Sequence, residues 1–159
     1  MRSVHINITD QTLSIHDGSL FVKQFSISSA LNGVGQQQGS GKTPLGRHYI
    51  RAKIGRDCAP NTVFVGRRDT GEVYDDHLAK EFPARDWILS RILWLCGQQV
   101  GLNRLGNVDS MARYIYIHGT PDSEPMGVAK SHGCIRMRNC DVLELFDWVP
   151  INAPVTITA

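Results

Sequence analysis

Long apolar runs are missing from this chain. No stretch approaches the roughly 18 consecutive apolar residues that a membrane-spanning helix needs. In the opening "MRSVHINITD", polar residues interrupt every second position up to Ile8. That pattern lacks the unbroken apolar segment of a secretory signal. The sequence therefore predicts a cytoplasmic protein, with a periplasmic one as the alternative if a signal peptide has been removed. No membrane partner is expected.

Charge of one sign is lacking as well. Lys and Arg number 17 against 15 Asp and Glu, a net charge of +2. The basic residues are scattered, whereas nucleic-acid binding needs a concentrated stripe. The densest local group, Arg67 and Arg68 in "VGRRD", reads as a solvated loop. Nucleic acid is not an expected partner. With 42% hydrophobic and 20% charged residues, disorder is excluded too.

Paired metal or redox motifs are also absent. The four cysteines are Cys58, Cys96, Cys134 and Cys140. None forms a CxxC pair, so neither a thioredoxin-like motif nor a zinc ribbon is supported. Reduced thiols are the default for a cytosolic chain of this size. Cys96, in "ILWLCG", reads as a small core hydrophobe. Cys58 and Cys140 read as incidental. With no internal repeat or linker, residues 1–159 are read as one domain.

What is present is a succession of short strands. Val4, Ile6 and Ile8 alternate with polar residues, as do Leu13 and Ile15. Turn residues Asp10-Gln11 and Asp17-Gly18 separate these runs from each other and from "LFVKQFSIS". Period two with turns between runs predicts a β-meander. "RHYIRAKIG", "TVFVGRR", "RYIYIHG" and "APVTITA" read as further strands. "DWILSRILWLCG" suits a helix or a buried strand; its brevity and its Ile and Trp content favour a strand. One helix is expected over about residues 141–149. Val142, Leu145, Phe146 and Val149 would be its apolar stripe, Asn139 or Asp141 its N-cap, Glu144 the capping-box partner and Pro150 its stop. The predicted fold class is mainly β, a barrel or sandwich with one helix near the C-terminus.

The chemistry concentrates in "KSHGCIRMRNC", Lys130 to Cys140. A thiol attacks as its thiolate and needs a base or a positive environment. His118 ends the "RYIYIHG" strand sixteen residues before Cys134, and a loop between them can bring the two together as a Cys/His dyad. His132, two residues before Cys134, would stand about 7 Å off in an extended chain and suits lining the site better than acting as base. Gly133 permits φ > 0 and close approach of backbone to a bound carbonyl. The N–H groups of Gly133 and Cys134 are candidate oxyanion donors. Arg136 could hold a substrate carboxylate in a bidentate pair, or merely raise the local potential. Two rival readings stand beside this one. His118, His132, Cys134 and Cys140 could be four zinc ligands, although their spacing matches no known pattern. His118 could equally be a hydrogen-bonded core histidine.

"IHGT", then a loop, then "SHGCIRM" and the terminal "VPINAPVTI" resemble the YkuD-type L,D-transpeptidase catalytic domain. "GKTPLGRHYI" resembles that family's upstream "TPxGxY/F" segment, so the resemblance spans nearly the whole chain. It implies a β-rich fold and a cysteine enzyme acting on peptidoglycan tetrapeptides or muropeptides, between an L-centred diamino acid and the terminal D-Ala. It also implies Cys134 as nucleophile, His118 as base and the Gly119 carbonyl as the group orienting it. His132, Gly133 and Arg136 complete the implied site, and no metal or cofactor is expected. Taken with a cytoplasmic location, it favours water as acceptor, an L,D-carboxypeptidase releasing D-Ala from soluble tetrapeptides of wall turnover. Transpeptidation or D-amino-acid exchange is the alternative, and a non-catalytic wall-fragment-binding domain the third reading. The loop from Gly97 to Ala112, long and rich in Gly and Asn, is expected to cover the site.

Overall fold

The computed structural model describes residues 1–159. The chain opens as a meander of β1 (Arg2–Asn7), β2 (Thr12–Asp17) and β3 (Leu20–Ser26). In β1 the alternation read from the sequence is the burial pattern observed, with Val4 and Ile6 buried; in β2 Leu13 and Ile15 are buried but so is Ser14 between them, and Ile8 lies just past β1, partly buried. Then follow β4 (Gly46–Ile54), the hairpin of β5 (Thr62–Val65) and β6 (Arg68–Val73), and a short helix α1 (Asp76–Glu81). That helix is an addition to the one expected. Asp75 caps it through a 2.8 Å bond from the Leu78 N–H.

The ambiguous segment is a strand, β7 (Ile88–Gly97). Its alternation is hidden because both faces are covered. Leu93 and Leu95 enter the main core, while Ile92 packs in a second cluster with Phe64 and Tyr116. Strands buried on both faces read as continuous apolar runs. The chain ends with β8 (Tyr116–Thr120), β9 (Ile135–Arg138), α2 (Asn139–Trp148) and β10 (Pro154–Thr158).

The ten strands form one sheet. From β3 it runs through β2, β1, β10 and β4 to β7, where it branches to β5–β6 and to β8–β9. It curls until the stretch after β3 meets β9: Ser28 and Arg136 exchange two backbone bonds of 2.9 Å. The concave side is filled by α2. Val142, Leu145, Phe146 and Val149, the stripe expected from sequence, are essentially inaccessible and share one core with Ile50, Ile117, Ile135 and Met137.

The capping of α2 differs from expectation. Arg138 occupies the N-cap position and makes no side-chain cap bond. Asn139 is instead buried and turned toward the sheet. Its Nδ2 donates to the Thr120 carbonyl at 2.9 Å, and its Oδ1 accepts from the Ser90 hydroxyl at 2.6 Å. The amide thus bolts the start of α2 to β8 and β7, a use of asparagine that no local pattern announces. Asn139→Ala removes the amide donor from the buried Thr120 carbonyl and leaves the Ser90 O–H without its acceptor, although the Ser90 oxygen keeps the Asn61 N–H at 2.9 Å. It should lower stability by about 2–3 kcal/mol, measured as a drop in the urea midpoint at unchanged slope.

Candidate active site

The parallel pairing of β8 with β9 builds the site. Ile117 lies opposite Ile135 and His118 opposite Arg136. Successive side chains point to opposite faces. Ile117, Ile135 and Met137 therefore enter the core, while Tyr116 and His118 share the other face with Cys134 and Arg136. His118 and Cys134 are diagonal neighbours across this pair, the dyad placement expected from the sequence. The Cys134 Sγ accepts the Tyr116 N–H at 3.4 Å and lies 3.3 Å from the Tyr114 carbonyl, to which it donates.

The His118 ring is buried, and its Nδ1 lies 2.6 Å from the Gly119 carbonyl. A carbonyl only accepts, so Nδ1 carries the proton and Nε2 is the nitrogen free to take another. Gly119 is constrained in turn, since a Cβ there would overlap the Leu89 carbonyl and the Asn139 side chain.

Gly133 adopts φ +135°, as its place in the motif suggested. Its N–H already meets the Ser131 hydroxyl at 3.2 Å, so this expected oxyanion donor is partnered in the resting site. The same hydroxyl donates to the Cys134 carbonyl at 2.6 Å. Thr43, from the "GKTPLG" segment, donates to the Gly133 carbonyl at 2.9 Å and accepts the Ala30 N–H at 3.0 Å. The upstream motif thus fixes the backbone that carries the thiol.

Arg136 is engaged within the protein. Rather than standing free for a substrate carboxylate, it is buried and paired with Asp86 at 2.9 Å, with Glu124 at 3.9 Å. The other Asp86 oxygen lies 3.2 Å from Nδ1 of the exposed His132. Asp86 escaped the sequence reading because it lies 46 residues before His132 in an unremarkable "ARDW". Arg113 escaped it as well. Its guanidinium donates to the carbonyls of Gly35, Gln36 and Lys42, pinning the loop beyond β3, and it has no carboxylate partner.

Two clefts meet at His132. One, of about 260 Å³, is polar and includes Arg85, Asp86, Glu124, Lys130 and Arg136. The other, of about 430 Å³, is lined by Gln38, Gly39, Gly41 and Ala112 to Ile115. The loop from Gly97 to Ala112 is a wall rather than a free cover. Asn103 is fully buried and donates to the carbonyls of Leu45 and Arg47, and Asp109 accepts from the N–H groups of Leu105 and Ala112. Only its end borders the second cleft. The four candidate zinc ligands do not converge, and no group of three or more His, Cys, Asp or Glu is placed to hold a metal ion. All four cysteines are free; Cys96 is buried and Cys140 exposed.

Burial pushes the Cys134 thiol up to about 11, opposed by the Tyr116 N–H; Asp86 adds to the rise, and Arg136 and Arg113 oppose it. Burial likewise holds His118 below the ordinary histidine value, against its bond to Gly119 and the charge of Asp86. Both shifts favour a neutral thiol and a neutral imidazole at rest over a preformed ion pair. Cys134 remains partly exposed, so a carbonyl can reach it.

Comparison with known proteins identifies the family and the fold. The family model for the L,D-transpeptidase catalytic domain, YkuD, matches residues 1–157. A putative L,D-transpeptidase YkuD of Bacillus licheniformis is 55% identical over 42 residues, 26% of either chain. A probable L,D-transpeptidase ErfK/SrfK of Salmonella typhimurium is 45% identical over 47 residues, 30% of this chain and 15% of that one. An L,D-transpeptidase structure from Mycobacterium smegmatis aligns with 99% of this chain and 58% of its own at TM-score 0.58 and 16% identity. L,D-transpeptidase 3 of Mycobacterium tuberculosis, solved with a faropenem-derived adduct, gives 0.60 at 15% identity, with 99% of this chain and 60% of its own aligned. The aligned stretches thus fall short of two thirds of these relatives' lengths, and the solved structures share the curled sheet. By the match over nearly its whole length, this chain belongs to the family of L,D-transpeptidase catalytic domains.

Proposed function

We propose that the protein is a cysteine acyltransferase acting on the L,D-peptide bond of peptidoglycan tetrapeptide stems. The observation that carries this reading is the placement of Cys134 and His118 on one face of β8–β9, with the Gly119 carbonyl setting the tautomer of the base. Attack begins from the neutral pair. As Sγ approaches the carbonyl of the diamino acid, its proton moves to His118 Nε2. Collapse of the tetrahedral intermediate expels D-Ala, whose nitrogen takes that proton back, and leaves a thioester on Cys134. Lys130 is exposed in the polar cleft and makes no ion pair with the protein, which suits it to a stem carboxylate.

Water then resolves the thioester in the favoured reading, activated by the same imidazole. That makes the protein an L,D-carboxypeptidase releasing D-Ala from soluble, recycled stems in the cytoplasm. Both clefts are open, which supports access of water. The second cleft favours another outcome, because it offers an amine acceptor a seat beside His132. An amine there would give cross-linking or D-amino-acid exchange.

Mass spectrometry of a tetrapeptide incubated with the protein, with and without an added D-amino acid, separates the two. Tripeptide and D-Ala are expected as main products. Exchanged or cross-linked products forming faster than tripeptide would replace hydrolysis by transpeptidation.

A further inference from the structure

Asp86 stands where two other side chains of the site meet. One carboxylate oxygen lies 2.9 Å from Arg136 and the other 3.2 Å from His132. These partners come from separate parts of the chain, Asp86 from the turn before β7, His132 from the glycine loop and Arg136 from β9. The bridge ties the polar cleft's floor to the nucleophile's loop. It also pairs the one buried guanidinium beside Cys134 that would otherwise present a full charge. Glu124, at 3.9 Å, is the longer and weaker partner of Arg136.

We propose that Asp86 is a positioning residue that tunes the Cys134–His118 pair through Arg136, keeping the nucleophile a thiol at rest and the imidazole a competent base. This rests on the proposed role of Cys134. The groups facing Cys134 are Arg136 from β9, Arg113 and the Tyr114 carbonyl from the segment before β8, Tyr116 and His118 from β8, and Asp86 from the turn before β7; Arg67 reaches Tyr116 from the β5–β6 turn. Asp86 is the one carboxylate whose charge acts on both Cys134 and His118, and Arg136 opposes it at both. The sign follows. Without the carboxylate, Arg136 favours the thiolate and disfavours the imidazolium. The thiol becomes easier to ionise and the base weaker, so reactivity toward a simple electrophile rises while catalysis falls. A residue that only shaped the turn would not move these two in opposite directions.

The test is alkylation of the full-length protein by iodoacetamide across pH, with the labelled cysteine located by mass spectrometry. Asp86→Asn should shift the Cys134 profile toward lower pH by about one pH unit, a roughly tenfold faster reaction at pH 8. Its turnover should fall in the same preparation. Arg136→Gln should shift the profile the opposite way. Should Arg136→Gln fail to fold, Asp86→Asn decides alone; Asp86 is nearly half exposed, so its change is mild for the fold. An unmoved or upward-moved profile in Asp86→Asn overturns the proposal, even if turnover falls. Label on the exposed, free Cys140 is expected in every variant and is read separately; turnover surviving in Cys134→Ala would instead strike the assignment of the nucleophile.

Discussion

Cys134→Ala should abolish cleavage of an L,D-linked tetrapeptide, a loss of roughly 10⁴–10⁶-fold, as when a covalent nucleophile is removed elsewhere. No other thiol can substitute. Cys96 is buried in the strand wall, Cys140 is exposed on α2, and Cys58 packs on the second cluster under the β5–β6 hairpin. None of them stands beside His118 on the β8–β9 face. The fold should survive, because Cys134 contributes two long sulfur contacts and only partial burial. Thermal unfolding should shift little, and the variant should still bind the stem, which calorimetry would detect. Turnover retained in Cys134→Ala but lost in Cys140→Ala would refute the assignment.

His118→Gln should lower kcat by about 10²–10⁴-fold, the usual contribution of a general base. Glutamine keeps most of the volume at a site only 2% exposed, so a loss of activity is not a loss of packing. The pH profile separates base from scaffold. In the native protein, burial depresses His118, so it stays neutral and competent down through its ordinary value near pH 6.5. Activity therefore falls only below that pH, as the imidazole protonates. In His118→Gln this acid limb should vanish. The residual rate should rise with pH toward the ionisation of the thiol at about 11. His132→Ala should cost far less, because that ring is exposed and held by Asp86 rather than by a backbone carbonyl. An equal or larger loss in His132→Ala would make His132 the base instead.

The structure also separates two kinds of information in the motif. "SHGC" and "IHG" carry the proposed reacting groups within a few residues of strand ends, where period two already dictates which side chains share a face. The flanking "GKTPLG" entered through its resemblance to the family's upstream segment, with no role attached. Its threonine proves to be the hydrogen-bonding post for the Gly133 carbonyl, 90 residues away in sequence. Local pattern told that the segment mattered, but not that its work is done across the sheet.

The sequence alone determined the strand-rich class, the meander and the apolar stripe of α2. Each rests on periodicity or on neighbours close along the chain, and backbone geometry translates both directly into a face. Only the tertiary structure decided what Arg136 does, because its partner Asp86 lies 50 residues away and charge pairing leaves no periodic trace. The same holds for Asn139, whose amide fits a helix cap by local rule but finds two buried partners from β7 and β8. It holds again for the loop from Gly97 to Ala112, which by length and composition reads as a cover for the site and is fixed by the buried side chain of Asn103. The state of the nucleophile belongs to this second group, since a thiol's acidity is set by burial and by charges that only folding brings within reach.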